Sequence, residues 1–186
     1  NAKEDLPSLR LANLAALQHP LSVDTYIEQT LRDAKAVLVR LIGGMPYWSY
    51  GLQQLRAVAE ENGIALAVLA ADGRADSQLD EISTLPVSTL RRLRQLCDAG
   101  GPDAASAALA QLALSAGLFA RPKIGQKNPP RVGGWSLQNR LSCPAAFALR
   151  VIPKPAVVIS FYLSYLTAAD LAPIEAAAQA LEARGF

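Results

Sequence analysis

Histidine occurs once and cysteine twice in these 186 residues, and Cys97 and Cys143 lie far apart with no CxxC. A four-ligand zinc site of the usual Cys/His kind is therefore excluded, and a disulfide framework has no support. A histidine-bearing nucleophilic triad is excluded as well, unless His19 serves it. No GxxxxGK[ST] and no GxGxxG is present, so neither recognised phosphate cradle occurs. The longest apolar run, Ile64 to Ala71, has eight residues, against the ~20 that cross a bilayer as a helix. The first ten residues carry Lys3, Glu4 and Asp5 and no apolar stretch, so no secretory signal is read. The default compartment is the reduced cytoplasm, with no membrane partner.

Apolar residues, by contrast, make up 51% of the chain, enough for a buried core, and alanine (34) and leucine (29) supply about a third of it. Both favour helices, since they lose little side-chain freedom on entering one. The net charge is +2, but its distribution is uneven. From Phe119 to Pro155 there are seven basic residues, no acidic ones and six of the twelve prolines. No helical or strand period survives over most of this stretch. Segments of that length in a compact domain are functional loops or linkers. The segment suits a polyanion or an acidic surface of another domain. Its few aromatics and lack of a regular motif argue against nucleic acid. We expect it to wrap over the domain in an irregular path, or to be mobile, held mainly by Phe119, Trp135, Leu141 and Phe147, with its charges meeting Asp72, Asp76, Asp80 and Glu81 or parts of a parent chain.

Two periods alternate elsewhere. Strands are predicted at 9–15, 36–42, 64–70 and 156–162, and helices from Ser22 as N-cap, from Pro46 to Gly63, around Leu90–Cys97, from Pro102 to Gly117 and from Pro173 to Arg184. Strand–helix alternation predicts an α/β fold with a mostly parallel, flavodoxin- or Rossmann-like sheet flanked by helices, and one long irregular basic loop. The domain reading is a single α/β domain over 1–186, with 119–155 as loop or linker and 156–186 as a start for a second α/β unit. The chain lacks an initiator methionine and its last helix is followed by no strand, so it reads as a piece of a larger multidomain protein.

Ligands of open parallel sheets bind beyond the carboxyl ends of the strands. There the sequence places Gly43, Gly44, Tyr47, Trp48 and Tyr50 after the second predicted strand and Tyr162 and Tyr165 after the fourth. Aromatic faces at one edge can stack on a flat ligand, or plug the sheet end against a neighbouring domain. Arg40, inside an apolar strand, must reach the strand end, an anion or a carboxylate. The candidate substrate-binding set is Arg40, Gly43, Gly44, Tyr47, Trp48, Tyr162 and Tyr165. No catalytic residue and no metal ligand is assigned. His19 reads as a hydrogen-bonding loop residue and Cys97 as core.

The run Val39-Arg40-Leu41-Ile42-Gly43-Gly44-Met45-Pro46-Tyr47-Trp48-Ser49-Tyr50-Gly51 resembles the large subunit of the aerobic, ATP-dependent cobaltochelatase, a relative of the magnesium chelatase H subunit. That family shows VRLLGG followed by YWxYG. Leu6–Ala15 with His19–Asp24, Gly63–Leu69 with Leu79–Val87, and Phe161–Asp170 with Pro173–Ala176 agree as well, so the likeness covers nearly everything except 121–153. Leu163 departs from it where the family has arginine, and Leu171 where it has threonine. The resemblance implies a stretch from the N-terminal region of a tetrapyrrole-binding subunit. That subunit inserts Co2+ into hydrogenobyrinic acid a,c-diamide during cobalamin (vitamin B12) biosynthesis, a ligase forming nitrogen–metal bonds. It further implies partner AAA+ subunits that use ATP/Mg2+, and metal-handling residues in the remainder of the large subunit. The stretch alone is expected to bind no cofactor and to be inactive. The competing reading is a stand-alone flavodoxin-like binding or protein-interaction module without chelatase activity.

Overall fold

The structure, a computed structural model, describes residues 7–121, 133–137, 140–142, 157–168 and 170–186. These fall into two compact units, one of Asn1–Asp98 with Asp103–Gly125, the other of Ala99–Pro102 with Gln126–Phe186.

In the first unit the unbroken apolar runs form strands β1 (Ala36–Leu41) and β2 (Ala65–Ala70). They pair in parallel, from Ala36 opposite Ala65 to Leu41 opposite Ala70. Every residue of β2 is buried, as a parallel strand covered on both faces requires. Helix α1 (Pro20–Tyr26, continued by wider π-type turns over Ile27–Leu31) and α2 (Ser49–Asn62) cover one face. There Val23, Ile27, Leu52 and Leu55 pack on Val39, Leu41, Leu66 and Val68. α3 (Ser77–Ile82) adds Leu79 and Ile82 to that cluster. On the opposite face α4 (Val87–Ala99) and α5 (Gly101–Ser115) pack Leu90, Leu93 and Leu112 on Ala67 and Leu69.

The α/β reading with a parallel sheet flanked on both faces holds. Its strand count does not. Residues 9–13 are irregular, and Leu14–Ala16 forms a 3-10 turn. The Asn13 side chain accepts from the Ala15 N–H at 3.0 Å and so caps that turn, while residues 9–13 pair with no strand among the described residues. Of the strand expected at 156–162, residue 156 lies outside the described residues. Residues 157–162 are irregular, with Val158 90% exposed. A β-branched run becomes a strand only against a partner edge. The flavodoxin or Rossmann strand order is therefore not reached by the two parallel strands among the described residues.

Two helix starts also differ. α1 begins at Pro20, not after Ser22, because His19 is its N-cap and accepts the Leu21 N–H on Nδ1 at 3.2 Å. α3 was not foreseen, although Asp76 caps it by accepting from Gln78 N–H at 3.0 Å and Leu79 N–H at 3.4 Å.

In the second unit β3 (Gly134–Ser136) and β4 (Arg140–Ser142) form an antiparallel hairpin inside the stretch read as irregular. Trp135 meets Phe161 edge to face, with ring centres 6.3 Å apart. Two short helices follow, α6 (Leu163–Thr167) and α7 (Ala172–Glu182). Phe119, expected to anchor the basic segment, is 83% exposed. Phe147 and most of the basic side chains lie outside the described residues.

The outer edge of β2 is closed by hydroxyls instead of a strand. The Leu66 N–H donates to Thr84 Oγ1 at 2.8 Å and the Val68 N–H to Ser83 Oγ at 2.9 Å. Thr84 Oγ1 in turn donates to the Ile64 carbonyl at 3.0 Å, and the Thr84 N–H donates to the Leu66 carbonyl at 3.0 Å. Thr84→Val keeps the shape but strands the buried Leu66 N–H. We expect it to lower unfolding free energy by about 1–3 kcal/mol in urea titration, with an unchanged denaturant slope.

Candidate functional site at the carboxyl ends of the strands

Beyond β1 the chain turns through Gly43 (φ +98°) and Gly44 (φ +65°). Gly44 has ψ −162°, a region essentially reserved for glycine. A Cβ there would also stand 3.0 Å from Asp76 Oδ2. The turn therefore brings the ends of β1 and β2 together around a recess of about 140 Å3 lined by Gly43, Gly44, Asp72, Arg74 and Asp76. Both carboxylates in it already accept backbone N–H groups, Asp72 from Arg74 at 3.1 Å and Asp76 from α3. Ligand pockets for drug-sized molecules run to about 300–1,000 Å3, so a planar macrocycle cannot enter this recess. It can only lie across its rim, where Tyr47 is 48% exposed and packs on Gly43.

The other candidates separate from that rim. Trp48 is 7% exposed, and its Nε1–H donates to the Leu17 carbonyl at 2.6 Å. Its indole lies directly over Gly51, where a Cβ would meet Cε2 at 2.1 Å. Trp48 is thus a core residue and offers no face to a ligand. The Tyr50 hydroxyl donates to Asp24 at 2.8 Å, tying α2 to α1, and this bond to a carboxylate pushes its pKa up. Arg40 reaches the opposite face of the sheet and pairs with Asp98 at 3.0 Å, the carboxylate alternative of the sequence reading. Gly43, Gly44 and Tyr47 are the candidates that share one surface of the first unit. Tyr162 (80% exposed) and Tyr165 (40% exposed) belong to the second unit, where Tyr165 donates its backbone N–H to the Tyr162 carbonyl.

No three His, Cys, Asp or Glu side chains converge on a metal-sized space among the described residues. No helix among them is long and apolar enough to cross a membrane. Burial pushes the Cys97 thiol up, against the lowering pull of Arg40, which favours the protonated thiol over the nucleophilic thiolate. The Asp76 cap of α3 is the feature that sequence reading missed. Its signal was an Asp three positions before Leu79, where the Leu79–Ile82 spacing begins.

No family model matches the chain. It is 35% identical over 195 aligned residues to the aerobic cobaltochelatase subunit CobN of a Sinorhizobium species, an alignment covering 96% of this chain and 15% of that protein. To the subunit of the same name from Pseudomonas aeruginosa it is 33% identical, with 98% of this chain and 15% of that protein covered. The chain thus spans about 15% of the length of these relatives. Among solved structures it shares the fold of part of the catalytic subunit of cobaltochelatase from Mycobacterium tuberculosis. The TM-score is 0.53 at 20% identity, over 95% of this chain and 13% of that one.

The division between packing and rim residues has a measurable consequence. Gly51→Ala forces the Trp48 indole from its seat and is expected to cost about 1–3 kcal/mol, with a red-shifted tryptophan emission. Tyr47→Ala, on the rim, is expected to change stability by no more than about 0.5 kcal/mol.

Proposed function

The chain is a homologue, over nearly its whole length, of part of the large subunit of aerobic cobaltochelatase, and on that premise we propose that it contributes to a cobaltochelatase subunit that binds the tetrapyrrole. In this reading the substrates are Co2+ and hydrogenobyrinic acid a,c-diamide, in the cytoplasmic synthesis of cobalamin. AAA+ partner subunits hydrolyse ATP with Mg2+ and drive insertion, and the remainder of the large subunit handles the metal. The observation that carries the reading is the extent of the likeness, 35% identity over 96% of the chain.

The role of this stretch follows from what it can and cannot do. At the carboxyl ends of the strands its recess is too small to enclose a macrocycle, so there it supplies a wall and not a pocket. Tyr47 provides a flat aromatic face on that wall, and the Gly43–Gly44 backbone allows close approach beside it. The opposing wall and any metal ligands come from elsewhere in the subunit.

A chimera tests this. When the chain replaces the corresponding stretch of the Sinorhizobium subunit, cobalt insertion measured with ATP and the partner subunits is expected to persist. Tyr47→Ala in that chimera should raise the KM for the tetrapyrrole several-fold while leaving expression and stability unchanged. A chimera that folds and assembles but inserts no cobalt would favour the stand-alone module.

A further inference from the structure

The two edges of the sheet are not alike. Ala65 and Ala71 donate their N–H groups to the Lys35 and Leu41 carbonyls. Backbone direction alternates along a strand, so Lys35, Val37, Val39 and Leu41 face β2, and Ala36, Leu38 and Arg40 point their N–H and C=O groups to the other side. On β2 the outward Leu66 and Val68 N–H groups are taken up by Thr84 and Ser83, and the Leu66 carbonyl by the Thr84 N–H. On β1 no backbone hydrogen bond to Ala36, Leu38 or Arg40 from the outer side is found among the described residues. Beside that edge lies an apolar slot of about 790 Å3, roofed by Val23 and Ile27, floored by Leu109 and Leu112, with Pro7–Ala12 along another wall. Unpaired backbone in an apolar slot is costly, and an open strand edge is a template for another strand.

Topology says which strand. α1 and α2 pack in one cluster on the same face. The crossover through α2 carries the chain from β1 to β2. A right-handed crossover through α1 on that same face requires the preceding strand to lie on the far side of β1, which is where the slot is. The stretch before α1 meets the other conditions. Leu17 is held by Trp48 just past the carboxyl end of β1, at 2.6 Å. Leu9–Asn13, five residues at ~3.3 Å each, spans about 17 Å against about 20 Å for β1. Leu9 and Leu11 are 54% and 87% exposed, unpartnered beside an apolar slot.

We propose that the slot beside β1 is a docking site for a parallel strand and that its occupant is the chain's own Leu9–Asn13, whose residues 9–12 line the slot unpaired in this structure, seated as a third strand of the sheet. This is independent of the chelatase reading.

Amide hydrogen exchange by NMR on the 186-residue chain tests it. Ala36, Leu38 and Arg40 should exchange at least about a hundredfold more slowly than unpaired amides. Cross-strand contacts from residues 9–13 to 36–40 should appear in the same sample. Leu11→Asp should abolish both, while Leu66 and Val68 stay protected. Fast exchange at those three amides, or absence of the cross-strand contacts in the unaltered protein, overturns the proposal without any variant being needed. Protection that survives Leu11→Asp assigns the slot to another segment. Protection that rises with protein concentration, alongside a dimer in sedimentation, assigns it to a second copy. Either result also overturns it.

Discussion

Parallel pairing of Ala36–Leu41 with Ala65–Ala70 is the constraint on which the first unit depends. Two parallel strands have no stability of their own, because both faces are apolar and both outer edges carry backbone groups that must be paired or wetted. The faces are covered by helices, α1 and α2 on one side and α4 and α5 on the other. The edge of β2 is completed by the Ser83–Thr84 hydroxyls, which stand in for a strand. That economy positions everything downstream. It fixes the end of β2, hence Asp72 and the Asp76 cap, hence the recess against Gly43 and Gly44.

Much of this was written in local pattern. The runs AVLVRL and ALAVLA are nearly continuous apolar stretches, the pattern of parallel strands covered by helices on both faces. The helix ends at Gly63 and Gly117 were legible because both glycines take positive φ. Failures came where a short polar side chain competes for the backbone. Asn13 ends the alternating LRLANLA by capping a 3-10 turn at Leu14–Ala16, and His19 displaced Ser22 as the cap of α1. The run from Val157 to Tyr162 failed differently, since its propensity was right but no strand pairs with it among the described residues.

The candidate site was legible as a place more than as a set of contacts. Gly43, Gly44 and Tyr47 do lie beyond the carboxyl end of β1, whereas residues 157–162 ahead of Tyr165 form no strand, and composition could not say which aromatics faced outward. Trp48 and Tyr50 look equivalent in the sequence, and both serve packing, one seated over Gly51 and the other tied to Asp24. Tyr47, a neighbour of both, is the one left open beside the double-glycine turn. The kinship with cobaltochelatase subunits came from several motifs agreeing along the chain, because no single residue here has a chemistry that would identify it.

The most direct measurement is native-state hydrogen exchange at the Leu66 and Val68 amides, compared with the free energy of global unfolding from denaturant titration. If the hydroxyls of Thr84 and Ser83 close the sheet, these two amides exchange only when the whole unit unfolds, and the two free energies coincide. Exchange at the rate of an exposed strand edge, with global stability intact, would contradict the account.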